Sequence, residues 1–82
     1  MNENVMSALR EIYSYANHVD DWIVIKKELL RTLHPTDRKL FSTRDPITKR
    51  QRTNDFERNL AKIWEDMTHR PVVFKDDENS IK

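Results

Sequence analysis

The apolar residues of positions 1–33 recur every three or four residues, which is the spacing of amphipathic helices. One stripe of this kind holds Val5, Leu9, Ile12 and Ala16. A second stripe holds Trp22, Ile25, Leu29 and Leu33. The pattern therefore predicts one helix over residues 3–17 and another over residues 22–33, with Asp20 or Asp21 as the N-cap of the second. Residues 22–25 alone also fit a short strand, because so short a run does not separate the two periods.

A third stripe predicts the helix around which the chain is organised, over residues 54–69 and stopped by Pro71. Its members are Phe56, Leu60, Ile63, Trp64 and Met67. Asn54 followed by Glu57 matches a capping box, in which each residue's side chain accepts a backbone N–H of the other. Thr53 or Asp55 fits the cap position as well. We expect an inward-facing set drawn from all three helices: Leu9, Ile12, Ile25, Leu29, Phe56, Leu60, Ile63 and Trp64.

The segments between and after these helices carry turn and strand signals. The dipeptide His34-Pro35 ends the second helix, because the residue before a proline is disfavoured in the α region. Thr36 is positioned to cap a single turn that would bury Leu40 and Phe41. Residues 42–48 read as a loop. Residues 72–74 have strand propensity and precede a polar turn, which predicts a short β-hairpin. The expected fold is mainly α: a three-helix, winged-helix or helix-turn-helix-like domain with a short C-terminal β-hairpin, spanning residues 1–75 and followed by a polar tail at 76–82.

Composition excludes several classes of site. The 82 residues include no cysteine, which rules out disulfides and thiolate metal sites, and no glycine, which rules out phosphate loops and dinucleotide fingerprints. No apolar run approaches the length of a membrane span, and the N-terminus lacks the layout of a signal peptide. We therefore expect a cytoplasmic protein with no membrane partner.

Charge is distributed unevenly, although the net charge of the chain is only +1. Residues 1–37 hold four basic and six acidic side chains, and residues 63–82 hold three basic and five acidic ones. Residues 38–62 hold eight basic and three acidic side chains. A basic middle between acidic ends is a candidate footprint for a polyanion, although a solvated surface loop gives the same pattern.

Two segments resemble a known family. The first is residues 33–38, Leu-His-Pro-Thr-Asp-Arg, which resemble the segment that ends the second helix in that family. The second is residues 56–64, Phe-Glu-Arg-Asn-Leu-Ala-Lys-Ile-Trp, which resemble the family's third helix. On these segments, residues 8–74 resemble the N-terminal winged-helix DNA-binding domain of Mrr-type restriction endonucleases. Members of the family end the third helix in Ala-Gly-Leu, where residues 66–68 are Asp-Met-Thr. The chain holds no nuclease domain, so the resemblance implies DNA binding and not cleavage.

Catalytic chemistry finds no support in the sequence. His18, His34 and His69 are too far apart to form a local pair of metal ligands. Neighbouring acids such as Asp20 and Asp21 do not face one another on a helix, and no serine lies in a nucleophile motif. We expect no enzyme activity, no metal and no cofactor. Both tryptophans lie on apolar stripes and are expected in the core, whereas Tyr15 is expected to be exposed.

The best functional signal is the basic segment that leads into the third helix. Lysine and arginine side chains contact phosphates, and amides can read base edges in the major groove. The candidate nucleic-acid-binding residues are Lys49, Arg50, Gln51, Arg52, Thr53, Asn54, Arg58 and Lys62. The leading hypothesis is a small DNA-binding regulator or accessory factor whose partner is double-stranded DNA. The alternative is a small protein-binding inhibitor or adaptor, as phages encode, and the sequence leaves a homodimer open.

Overall fold

The computed structural model describes residues 2–50 and 52–74, and these form a mainly helical, compact fold. The helices are α1 (Glu3–Ala16), α2 (Trp22–Thr32), α3 (Pro35–Arg38) and α4 (Asp55–Thr68). The three helices predicted from apolar periodicity are confirmed as α1, α2 and α4. Residues 22–25 form the first turn of α2, so the alternative of a strand there is wrong. None of the helices in the described part of the chain combines the length and apolarity needed to cross a membrane.

Each of the three long helices begins at a polar side chain that accepts a backbone hydrogen bond. The Oδ1 atom of Asn2 accepts from the N–H of Asn4 at 2.8 Å, and that of Asp21 accepts from Ile23 at 3.0 Å. Asn54 Oδ1 accepts from the N–H of Glu57 at 2.8 Å. Such caps satisfy N–H groups that have no partner inside the helix. Of the two capping candidates for α2, Asp21 is therefore the one used.

The short helix α3 differs from its prediction. His34 occupies the N-cap position and Pro35 begins the helix, so Thr36 is not the cap. Proline suits the first helical position because its missing N–H would have no partner there. Phe41 is buried and packs edge-on against Phe56, with ring centroids 5.5 Å apart, whereas Leu40 is 38% exposed. The expectation that both would be buried is therefore right for Phe41 and wrong for Leu40.

The core lies where α1, α2 and α4 meet. It comprises Val5, Ala8, Leu9, Ile12, Trp22, Ile25, Leu29, Leu33, Phe41, Leu60, Ala61, Trp64 and Val72. Six of the eight residues expected to face inward are in this set, and Phe56 and Ile63 pack half-buried against it. Trp64 donates from Nε1 to the carbonyl of Val19 at 2.8 Å, which satisfies its polar atom inside the core.

The C-terminal part of the described chain crosses back over the start of α2. The N–H of Val73 donates to the carbonyl of Asp20 at 2.7 Å, and the N–H of Trp22 donates to the carbonyl of Val73 at 2.8 Å. This is an isolated parallel bridge between Asp21 and Val73, and no strand forms within residues 2–50 and 52–74. The predicted β-hairpin is therefore not supported, and its return half, residues 80–82, lies outside the described residues.

The backbone groups of Val72 and Val73 have partners elsewhere in the fold. The N–H of Val72 donates to the Glu65 carboxylate at 2.8 Å. The neighbouring Val73 uses both of its backbone groups on the start of α2. Side-chain and backbone partners from elsewhere in the fold thus replace the local pairing that strand propensity predicts.

Candidate nucleic-acid interface

A buried carboxylate lies beneath the basic segment. Glu57, in the first turn of α4, is fully buried. Its Oε1 atom accepts from Trp22 Nε1 and forms an ion pair with Lys26 Nζ, both at 3.0 Å. Its Oε2 atom lies 2.6 Å from both the N–H and the Oγ of Ser42. Four polar groups therefore compensate for the burial of this charge, as a buried carboxylate requires.

Lys26 completes the cluster from α2. Its side chain is 5% exposed. Besides Glu57, its ammonium group contacts the carbonyl of Ser42 at 2.9 Å and the carbonyl of Arg52 at 3.1 Å. The hydroxyl of Ser42 lies within hydrogen-bond distance of the Arg52 carbonyl and of Glu57, and its one hydrogen can serve one of them at a time. Both ends of the connection between α3 and α4 are thus fixed to one buried ion pair.

Between these two anchors, the chain closes into a compact loop at residues 45–50. The N–H of Asp45 donates to the carbonyl of Arg50 at 2.9 Å, and the N–H of Lys49 donates to the carbonyl of Asp45 at 2.8 Å. The Asp45 carboxylate accepts from the N–H groups of Ile47 and Thr48 at 2.8 and 3.1 Å. This is an Asx turn, which lets a loop hold its shape without glycine.

Electrostatics reinforce this turn. Hydrogen bonds from the N–H groups of Thr48 and Ile47 lower the pKa of Asp45, and the nearby charge of Arg52 acts in the same direction. Hydrogen bonds to the ionised form of a carboxyl favour that form.

Lys49 adopts a left-handed conformation, with φ at 64°, where glycine would be the usual residue.

Three of the eight residues predicted to bind nucleic acid are exposed on or next to this loop. Lys49, Arg50 and Arg52 are exposed, and so is Arg44, which the sequence analysis did not include. At the tip, Ile47 is 88% exposed. Gln51 lies outside the described residues. Four cationic side chains, at positions 44, 49, 50 and 52, are therefore exposed in the segment that precedes α4, which we call the basic loop (residues 44–52).

Two other residues predicted to contact nucleic acid are not available to it: Thr53 is buried, and Asn54 is hydrogen-bonded within the protein. Thr53 is 9% exposed, which takes its side chain away from the surface that a duplex could touch. Asn54 uses both ends of its amide: Oδ1 caps α4, and Nδ2 donates to the Leu40 carbonyl at 2.9 Å. Only the Asn54 half of the predicted capping box is therefore present, because the Glu57 carboxylate accepts from Trp22 in the interior and does not return to the N-cap. Reading a base edge with Asn54 would require breaking these bonds.

Arg58 and Lys62, the remaining predicted residues, line a groove of about 550 Å³ on the outer face of α4. Phe74 also lines this groove, and the Arg58 guanidinium lies 5.5 Å from the centre of the Phe74 ring. Asp55 and Glu65 also line the groove. Lys62 is exposed and Arg58 is half-buried. These two predicted cations therefore line the same groove, together with acidic side chains.

The sequence analysis did not predict the buried ion pair between Lys26 and Glu57, although the positions of both residues indicate it. Lys26 lies four residues after Trp22 and three before Leu29, so it occupies the apolar stripe of α2. Glu57 precedes Leu60 by three residues and occupies the apolar stripe of α4 in the same way. Opposite charges at core positions of two helices indicate a buried ion pair.

Within residues 2–50 and 52–74, no group of three or more His, Cys, Asp or Glu side chains is arranged to hold a metal ion. Comparisons with protein-family models, with curated proteins and with solved structures gave no match for this chain. The resemblance to the Mrr-type winged-helix domain therefore stays a prediction.

Proposed function

We propose that this protein binds double-stranded DNA through the basic loop at residues 44–52 and the first half of α4. The observation that carries the proposal is the exposure of four cations, Arg44, Lys49, Arg50 and Arg52, in a segment whose backbone is bonded to Lys26 at Ser42 and Arg52. Cations that contact phosphates release counterions from DNA, and this electrostatic term supplies most of non-specific DNA affinity.

The proposal assigns most of the contact to the loop and not to the N-terminus of α4. A helix N-terminus attracts phosphate through its unpaired N–H groups. Here, however, Asn54 already caps one of these groups, and exposed Asp55 places a negative charge in the first turn. Lys49 and Arg50 therefore serve as phosphate contacts, while Lys62 extends the basic surface along the helix.

A winged-helix docking mode is the finer form of this proposal. In that mode α4 would be the recognition helix, as the resemblance of residues 56–64 implies. The connection between α2 and α4, residues 33–54, is far longer than the turn of roughly three or four residues in a helix-turn-helix motif. DNA binding as proposed therefore depends on the basic loop and α4, and it requires neither a helix-turn-helix pairing of α2 with α4 nor a wing.

The test is duplex binding at two salt concentrations, measured by fluorescence anisotropy with a random-sequence duplex. The variant Lys49→Gln/Arg50→Gln removes two loop cations, and Arg10→Gln/Lys27→Gln removes two exposed cations from α1 and α2 as a matched control. We expect the loop variant to bind more weakly and the slope of log K against log salt to fall by about two. Absence of binding by the unmodified protein, or equal losses in both variants, would refute the proposal.

A second candidate function, binding to another protein, is favoured by one surface feature. A hollow of about 150 Å³ lies between α1 and α2, beside exposed Tyr15 and Val24, which are 58% and 42% exposed. The Tyr15 hydroxyl donates to Glu28 at 3.1 Å. An exposed aromatic side chain with a polar tip is common at protein interfaces. Capture of a partner that Tyr15→Ala abolishes and Lys49→Gln/Arg50→Gln retains would favour this function over DNA binding.

A further inference from the structure

The tip of the basic loop presents an apolar side chain to solvent. Ile47 is 88% exposed, against 58% for Tyr15, the next most exposed large apolar side chain within residues 2–50 and 52–74. Pro46 beside it is also exposed, and its ring adds apolar surface without a backbone N–H. Single exposed apolar residues are common on protein surfaces. Two features of the surrounding loop distinguish this one.

The first feature is a backbone that fixes the tip independently of the Ile47 side chain. The N–H groups of Ile47 and Thr48 donate to the Asp45 carboxylate at 2.8 and 3.1 Å. The N–H of Asp45 donates to the Arg50 carbonyl at 2.9 Å, which closes the loop behind the tip. These bonds use backbone groups and the Asp45 side chain, so the exposed Ile47 side chain contributes none of them and is available to a partner.

The second feature is the charge beside the tip. Lys49 and Arg50 are exposed and follow Ile47 by two and three residues. Asp45 is the one acid within residues 44–52, and its carboxylate is held by the backbone N–H groups of the turn. A ligand that reaches Ile47 therefore also meets cations. Charge complementarity indicates an anionic ligand that offers an apolar interior, as stacked bases between two phosphate backbones do.

We propose that Ile47 is an apolar wedge that enters the minor groove of DNA and separates a base step, while Lys49 and Arg50 contact neighbouring phosphates. The inference rests on the proposed function, to which it adds a groove, a contact residue and a deformation of the duplex. Apolar side chains that enter from the minor groove partly unstack the bases and kink the duplex. Burial of the Ile47 side chain between bases offsets part of the unstacking cost.

A membrane with anionic lipids also combines negative charge with an apolar interior, but the apolar tip is too small to hold one. Even a myristoyl chain, which is far longer than an isoleucine side chain, gives only marginal membrane binding by itself. Within residues 44–52, Pro46 and Ile47 are the only apolar residues. Separation of a base step, in contrast, needs only an apolar wedge of this size. The size of the tip therefore favours DNA.

The first experiment separates the wedge from the cations. Ile47→Ala keeps the N–H groups of the turn and removes most of the apolar side chain, and Val24→Ala at an exposed position of α2 is the matched control. We expect Ile47→Ala to bind a random duplex about three- to tenfold more weakly in fluorescence anisotropy. The slope of log K against log salt should stay unchanged, because no cation is lost. Ile47→Leu should retain most of the affinity.

An affinity of Ile47→Ala equal to that of the unmodified protein would overturn the wedge and leave the proposed function standing. A loss of the same size in Val24→Ala would do so as well, because the effect would then not belong to the tip. Circular dichroism of the variants checks that they fold, which we expect since both side chains are exposed.

The second experiment reports on the base stack directly. A 2-aminopurine base in a central TA step fluoresces more strongly when it is unstacked, and such pyrimidine–purine steps unstack most easily. At saturating protein we expect the fluorescence to rise with the unmodified protein and with Lys49→Gln/Arg50→Gln, but to stay near the level of free DNA with Ile47→Ala. Saturation of the duplex by the unmodified protein without a rise would overturn the wedge but not DNA binding.

Two further outcomes would also overturn the wedge. Absence of duplex binding by the unmodified protein refutes the proposed function and the wedge with it. Sedimentation with vesicles of phosphatidylcholine and about one-third phosphatidylserine tests a membrane as the partner. Vesicle binding that Ile47→Ala abolishes, without a rise in 2-aminopurine fluorescence, would assign the tip to a lipid surface.

Discussion

Lys26 and Glu57 form an ion pair of 3.0 Å in the interior of the protein, with side chains 5% and 0% exposed. They come from α2 and α4, and the same two side chains fix Ser42 and Arg52 at the two ends of the basic loop. Stability of the core and geometry of the candidate interface therefore depend on one pair of charges.

Removing one partner of this pair should be strongly destabilising. Glu57→Gln leaves the Lys26 ammonium buried without a counter-charge, and we expect a loss of about 3–5 kcal/mol in the free energy of unfolding, measured with urea. The double variant Lys26→Met/Glu57→Gln should lose less than the sum of the single changes, because no unpaired charge remains. Arg31→Gln breaks the exposed pair with Glu28 and should change stability little. Equal stability of Glu57→Gln and Arg31→Gln would contradict a buried pair.

Ser42→Ala should loosen the basic loop. The substitution removes the hydroxyl that lies between Lys26, Glu57 and the Arg52 carbonyl. Limited digestion with trypsin reports on this directly, since the loop contains Arg44, Lys49, Arg50 and Arg52. We expect faster cleavage within residues 44–52 in Ser42→Ala than in the unmodified protein. Thr43→Ala, at the exposed neighbouring position, is the matched control and should be cleaved at the original rate.

The loop should also respond to acid. The pKa of Asp45 is lowered in the folded protein from its ordinary value of 3.8, mainly by the N–H groups of Thr48 and Ile47. A lowered pKa means that the ionised carboxyl stabilises the loop. This contribution is fully present above pH 3.8 and is lost as the pH falls through the lower folded value.

Carbon-13 NMR of the Asp45 carboxyl provides the measurement. Its titration midpoint should lie below that of the same residue in a peptide of residues 43–51. The loop amides of Ile47 and Thr48 should shift with the same midpoint, because they donate to that carboxylate. A midpoint equal to that of the peptide would mean that the turn is not held by the carboxylate.

His69→Gly should stabilise the protein. His69 ends α4 in a left-handed conformation, with φ at 60°, and its N–H donates to the Glu65 carbonyl. A residue with a Cβ atom adopts this conformation at a cost of about 1 kcal/mol, which glycine avoids. We expect a gain of about 0.5–1 kcal/mol in thermal or urea unfolding. Asp66→Gly, inside the same helix, should instead lose about 0.3 kcal/mol, because glycine is less favourable than aspartate in a helix interior. A loss at both positions would show that the αL cap is not strained.

Local features of α1, α2 and α4 were determined by the sequence alone. Their apolar stripes need only the period of the helix, and capping by Asp21 and Asn54 needs only neighbouring N–H groups. The loop over residues 42–48 and the basic segment after it were predicted for a related reason, since turn residues and charged side chains favour solvent-exposed positions. These features depend on residues that are close together in the chain, and such residues can interact without contacts from the rest of the fold.

Tertiary structure decided the features that join distant positions. Glu57 became a buried anchor instead of the second half of a capping box, because α2 supplies Lys26 and Trp22 from more than thirty residues away. Val73 pairs with the start of α2, which offers it both a donor and an acceptor, and no strand forms among the residues that the structure describes. Partners that are remote in sequence compete with local propensity, and only the packed fold shows which of them is within reach.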